Sequence, residues 1–162
     1  MNAVTVRDTD VSTAIKKERA YRAFYKISAL SAAGTKECYL STPNDEVQRK
    51  LYITDFYASG DKVTLELLMG VTSSTGGTAV VPRNMNDNST NTTSVTMSNG
   101  ATVTPGTPTT VETLYIGGTS GAGTNVLTEA FRVLKNNTKY SIKITNGGSG
   151  AADIFVGLML IE

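Results

Sequence analysis

The final run of this chain constrains its fold most. Tyr140-Ser-Ile-Lys-Ile-Thr alternates in polarity, Asn146-Gly-Gly-Ser-Gly-Ala-Ala-Asp is rich in turn formers, and Ile154-Phe-Val-Gly-Leu-Met-Leu-Ile is apolar throughout. An alternating strand buries one face, whereas a continuously apolar strand needs cover on both, from two packed layers or from another subunit. Left on a sheet edge, such a strand would recruit other chains. Residues 154–161 are therefore expected inside a layered β structure.

The rest of the chain carries the same signal at lower strength. From Tyr21 the pattern has period two, with Tyr21, Ala23, Tyr25 and Ile27 facing one way and Arg22, Phe24, Lys26 and Ser28 the other. Residues 37–41, 51–57, 63–69, 78–81, 92–97, 111–116, 126–134 and 139–145 read as further strands, with turn residues between them. Residues 51–57 and 63–69 are expected to pair as a hairpin through Ala58-Ser59-Gly60-Asp61. Leu127, Phe131 and Leu134 share helical spacing, but a strand or bent segment is favoured there. Many short strands with turns between them, and no fixed repeat, indicate an all-β sandwich or barrel.

At 162 residues the chain is expected to hold one domain, which buries roughly 70% of its unfolded surface without a staple. We divide it into an N-terminal arm, residues 1–19, and a β-sandwich domain, residues 20–162. Asp10 or Ser12 could cap a short helix in the arm, but Val11 and Ile15 alone are too few apolar positions to hold it. Extended, the arm would reach about 60 Å at about 3.3 Å per residue, far enough to order against a neighbour. Of the 29 charged residues, 19 lie in positions 1–70, and only Arg83, Asp87 and Glu112 lie in 71–125. No basic stripe with interleaved aromatics is present, which argues against nucleic acid as a partner. No run reaches the roughly 18 apolar residues that a membrane-spanning helix needs.

The chemistry-bearing residues are sparse. The chain has no His, the commonest general base, and one cysteine, Cys38, expected as a buried small hydrophobe. Gly118 and Gly123 have the separation of a phosphate loop, but Thr124 stands where that loop needs Lys. The acids Asp45, Glu46, Asp55, Glu66, Glu112 and Glu129 could serve glycoside hydrolysis only as a pair at fixed separation, and no spacing shows such a pair. Asp8-Thr9-Asp10 lacks the Gly and terminal Glu of a calcium loop. No cofactor is implied, and the residues point to a structural or binding module rather than an enzyme. Pro82-Arg83-Asn84-Met85-Asn86-Asp87-Asn88-Ser89 reads as a structured turn, with Arg83 free to meet a partner carboxylate.

Three segments together resemble small virion proteins of tailed bacteriophages: residues 78–89 with the Pro82–Ser89 turn, residues 129–140 with Leu134-Lys-Asn-Asn-Thr-Lys-Tyr, and residues 142–148 followed by the apolar strand ending in Glu162. Asp87 stands where that group often has Arg, and Leu160-Ile161 where it often has aromatics. The resemblance implies an antiparallel jelly-roll-like β-sandwich that forms a homotrimer and coats the phage head as a capsid decoration or cement protein. Its partner would be the major capsid protein and its place the virion surface, after synthesis in the host cytoplasm, with no membrane or nucleic acid partner. On this reading Val4, Val6, Val11 and Ile15 anchor the arm on the capsid, Arg7, Lys16, Lys17 and Arg19 meet acidic capsid groups, and Arg83, Asn84 and Asn86 lie between subunits. Two alternatives come from other classes: a head- or tail-fibre module that binds host glycan, and a β-sandwich glycosidase or lyase.

Overall fold

The computed structural model of the protein describes residues 3–60, 62–117 and 131–162. Helix α1 (Ala3–Lys16) precedes thirteen strands: β1 (Ala20–Leu30), β2 (Thr35–Ser41), β3 (Arg49–Ala58), β4 (Lys62–Met69), β5 (Ser73–Thr75), β6 (Thr78–Val80), β7 (Arg83–Asn84), β8 (Thr96–Asn99), β9 (Thr102–Thr104), β10 (Thr109–Gly117), β11 (Phe131–Leu134), β12 (Lys139–Asn146) and β13 (Ala152–Ile161). The strands form a five-stranded sheet, β11-β3-β13-β1-β7, a six-stranded sheet, β10-β4-β12-β2-β8-β6, and a small ribbon, β5-β9. Every pairing among the described residues is antiparallel.

Eight of these strands form the frame. In one sheet they run β1-β13-β3-β11, and in the other β2-β12-β4-β10. Successive strands change sheet at each step except from β4 to β10, which are neighbours, and this is the double Greek-key course of a jelly roll. The protein is therefore an all-β jelly-roll sandwich. Residues 70–108, between β4 and β10, supply the additions: β8 and β6 widen one sheet, β7 widens the other, and the β5-β9 ribbon lies apart.

The course explains the apolar terminal strand. Strand β13 lies between β1 and β3, and β12 lies between β2 and β4, so both are interior strands. Ile154, Val156, Leu158 and Leu160 point into the core, where they meet Tyr25, Phe56, Leu65, Ile142 and Ile144. Met159 and Ile161 point to the opposite face and are also buried, in a second cluster with Ala14, Ala20 and Tyr52. Helix α1 supplies the cover there, with Ala14 buried and Val11 and Ile15 packed beside it. Around Met159 and Ile161 both faces of the strand are thus covered from within the chain.

Two sequence expectations are corrected by this course. The β3 and β4 strands do not form a hairpin, because they belong to different sheets. Their connection is a sandwich corner that passes so close to β13 that a Cβ on Gly60 would lie 2.8 Å from the Ala152 Cβ. Residues 3–16 are helical rather than an extended arm. The helix lacks a full apolar stripe of its own, but the outward side chains of β3 and β13 give it a seat. It ends in a Schellman motif, with Glu18 N–H donating to the Ile15 carbonyl at 3.0 Å and Arg19 N–H to the Ala14 carbonyl at 2.9 Å. Glu18 occupies the left-handed position at φ 58° that Gly usually takes.

Asn146 fixes the turn before β13. It is fully buried, and its Nδ2 donates to the carbonyls of Leu30 and Gly150, both at 2.8 Å, while its Oδ1 accepts from Gly148 N–H at 2.9 Å. A buried amide with its donors and acceptor engaged holds the β12-β13 turn against the β1-β2 turn.

Candidate interaction surface

The outward face of the five-stranded sheet divides into two halves. Beneath α1 it is closed. Past the helix, β1 presents Arg22, Phe24 and Lys26, β13 presents Phe155 and Gly157, and β3 presents Asp55 and Tyr57. Register sets their neighbours: Phe155 lies across from Lys26 on one side and Tyr57 on the other, while Gly157 lies between Phe24 and Asp55. Phe24 and Phe155 are diagonal neighbours, and their rings pack with centroids 5.4 Å apart.

Gly157 is what lets the charged groups meet across β13. A Cβ there would collide with the side chains of Asp55 and Thr54. Its absence leaves room for Asp55 to reach Arg22, with Nη2 and Oδ2 3.5 Å apart, and the Arg22 guanidinium lies 5.0 Å from the Phe24 ring centroid. Phe24 is 47% exposed and Tyr57 41%. Beside them Arg22, Phe24, Val81, Arg83, Asn84 and Met85 enclose a hollow of about 370 Å³. The result is an aromatic strip rimmed by Arg22, Lys26 and Arg83. Large aromatic groups left half in water on a sheet face mark a surface that gains free energy when covered.

The residues assigned to capsid contact are distributed differently from the sequence expectation. Val11 and Ile15 pack on the chain's own sheet, and Lys16, Lys17 and Arg19 are exposed at the end of α1. Val4, Val6 and Arg7 belong to the helix backbone, and their side chains lie outside the described residues, as do Glu129 and the glycine loop from Gly118 to Gly123. The Pro82–Ser89 turn is held from within. Asn84 Nδ2 donates to the Glu18 carbonyl at 2.9 Å, and its Oδ1 accepts from Asn86 N–H at 2.9 Å. Asn86 Oδ1 accepts from Asn88 N–H at 3.1 Å, and the Glu18 carboxylate accepts from Ser89 Oγ at 2.8 Å and Asn91 Nδ2 at 3.0 Å. Arg83 remains exposed on the rim.

A buried cation that sequence reasoning missed closes the other end of the same sheet. Arg49 is 1% exposed and forms a fork with Asp45, Nη1 to Oδ1 at 2.7 Å and Nη2 to Oδ2 at 2.6 Å, while its Nε donates to Glu162 Oε1 at 3.1 Å. The same Glu162 oxygen accepts from Thr93 Oγ1 and Ser94 Oγ, both at 2.8 Å. Hydrogen bonds from Arg49 hold the Asp45 carboxyl below the usual carboxylate range. This cluster locks the terminal residue to two loops.

Three more of the candidate acids are held in ion pairs: Asp55 with Arg22, Glu66 with Lys143 at 3.9 Å, and Glu112 with Arg132 at 2.6 Å. Asp10 pairs with Lys50 at 2.9 Å. Cys38 is fully buried, as its strand context predicted, and burial pushes its thiol up to about 12. Among the described residues no group of three His, Cys, Asp or Glu side chains is placed to hold a metal ion. No described helix is long and apolar enough to cross a membrane.

No family model and no curated protein matches the chain. Among solved structures, the crystal structure of infectious bursal disease virus VP2 subviral particle aligns at 12% identity over 88% of this chain and 38% of that chain, with a TM-score of 0.13. The chain thus spans well under two thirds of that protein's length, and a likeness at this TM-score carries no argument.

Proposed function

We propose that this protein is a structural component of a phage virion, a decoration or cement protein that binds the outer surface of the head through the major capsid protein and assembles as a homotrimer. The observation that carries the reading is the bare half of the five-stranded sheet, where Phe24, Tyr57 and Phe155 form an aromatic strip rimmed by cations. A rigid sandwich that lays such a strip on a shell, with the Lys16, Lys17 and Arg19 cluster as a second contact, binds two points through one body. Each contact then raises the effective concentration of the other. The three sequence segments that resemble phage virion proteins supply the identity of the shell.

Immunogold labelling of intact particles with an antibody to this chain tests the reading. Dense label over the head is the expected result. Label confined to the tail would replace it with an attachment role, and unlabelled particles would overturn it. The homotrimer is tested separately by sedimentation of the purified chain, where a mass three times that of one chain is expected and a monomer would contradict it.

A further inference from the structure

Strand β1 is paired along its whole length on one side only. Towards β13 the ladder runs from Ala20 to Leu30, whereas towards β7 it covers Tyr21 and Arg22 alone. The direction of the backbone groups follows from two flanking bonds: Glu162 N–H donates to the Arg19 carbonyl on the β13 side, and Met85 N–H donates to the Ala20 carbonyl on the β7 side. Backbone groups of successive residues point to opposite edges of a strand, so those of Arg22, Phe24 and Lys26 face the β7 side. Pro82, which has no N–H to offer, ends β7 there, and the chain before it belongs to β6 in the other sheet. The edge groups of Phe24 and Lys26 therefore meet no strand among the described residues.

Three further properties coincide at this edge. The hollow between Phe24, Val81 and Met85 adjoins it, and Val81 is 74% exposed. Lys26 and Arg83 have no ion-pair partner among the described residues. The backbone row fits an extended chain, the hollow fits an apolar side chain, and the cations fit carboxylates. A second copy of β1 fits poorly, because each copy's β7 already takes Tyr21 and Arg22, and pairing the edges would bring the Arg22 and Lys26 rows together.

We propose that the β1 edge past β7 is a docking site for an extended segment of another protein, with an apolar and an acidic residue two positions apart, which adds to the sheet as a strand in line with β7. Phe24 and Lys26 share a face, so residues two apart on the added strand meet them: the apolar side chain enters the hollow beside Phe24 and the carboxylate meets Lys26. This inference does not rest on the virion reading, since it concerns only the isolated chain.

The test is a titration of the 162-residue chain with an acetylated, amidated Thr-Glu-Thr-Val-Thr-Glu-Thr-Val peptide, followed by amide hydrogen exchange and nuclear magnetic resonance. Saturable binding is expected, with exchange at the Phe24 and Lys26 amides slowed about tenfold or more as they gain strand partners. The Thr-Lys-Thr-Val-Thr-Lys-Thr-Val peptide should not bind, and Lys26→Glu, a change at an exposed side chain, should weaken the acidic peptide by about tenfold. Equal binding of both peptides, binding that leaves the two amides unprotected, or no binding at about 1 mM, the weak end of the affinity scale, would overturn the proposal. Failure here would leave the particle labelling result untouched, and the reverse also holds.

Discussion

The two outer faces of the sandwich are treated differently by the chain. Over the six-stranded sheet, the β5-β9 ribbon and its flanks bring Val71, Ala101 and Val103 down onto Tyr39 and Leu68. Over the five-stranded sheet, α1 covers Met159, Ile161 and Tyr52 and stops, leaving Phe24, Phe155 and Tyr57 beyond it. The first face spends its apolar side chains on the fold. The second keeps part of its own in water, beside cations and an open strand edge. Burial of the core is complete without the aromatic strip, so the strip is available to a partner.

The largest expected effect lies at the closed end of the five-stranded sheet. Arg49→Ala would leave Asp45 and Glu162 without their shared cation, and should destabilise the protein by about 3–5 kcal/mol in urea unfolding. A loss below about 1 kcal/mol, the scale of an exposed pair, would mean that the cluster is only a surface ion pair. Next comes a matched pair of substitutions across the two faces. Val103→Asp places a charge under the ribbon and should cost about 2 kcal/mol or more, whereas Phe24→Asp on the bare face should stay within about 1 kcal/mol. Equal losses at the two positions would erase the contrast.

A smaller effect of opposite sign is expected in the core. Tyr25 is fully buried, and its hydroxyl finds no hydrogen-bond partner among the described residues. Tyr25→Phe should therefore raise stability by about 1 kcal/mol, read as a higher urea midpoint at unchanged slope. A loss would show that the hydroxyl is satisfied. The smallest effect is in pH dependence. Asp45 is depressed in the fold, so its contribution is complete above the ordinary aspartate value of about 4 and disappears as pH falls through the lower, folded value. Asp45→Asn should have a flatter stability profile below about pH 4 than the parent chain, and parallel profiles would contradict the assignment.

Legibility in the sequence followed the range of the interactions. The alternation of Tyr21, Ala23, Tyr25 and Ile27 and the apolar run from Ile154 are local patterns, and both sit where their periods require. The outer side of β1 was also legible, since Arg22, Phe24 and Lys26 alternate with Tyr21, Ala23, Tyr25 and Ile27 and face the other way. The corner at Gly60 was not, because a hairpin and a sandwich corner use the same short polar turn. What separates them is contact with Ala152, far along the chain. The seat of α1 was hidden for the same reason, being built from β3 and β13 residues that meet only once the sheet has formed. Arg49 has one near partner, Asp45 four residues before it, but Ser94 and Glu162, which complete its cluster, lie in distant segments.

For the proposed virion role, a cryo-electron microscopic reconstruction of phage particles would show which face of the sandwich meets the shell. The expected density has β1, β13 and β3 turning Phe24, Phe155 and Tyr57 toward the shell, with the β5-β9 ribbon facing solvent. A subunit seated the other way, ribbon down and aromatic strip in water, would contradict it.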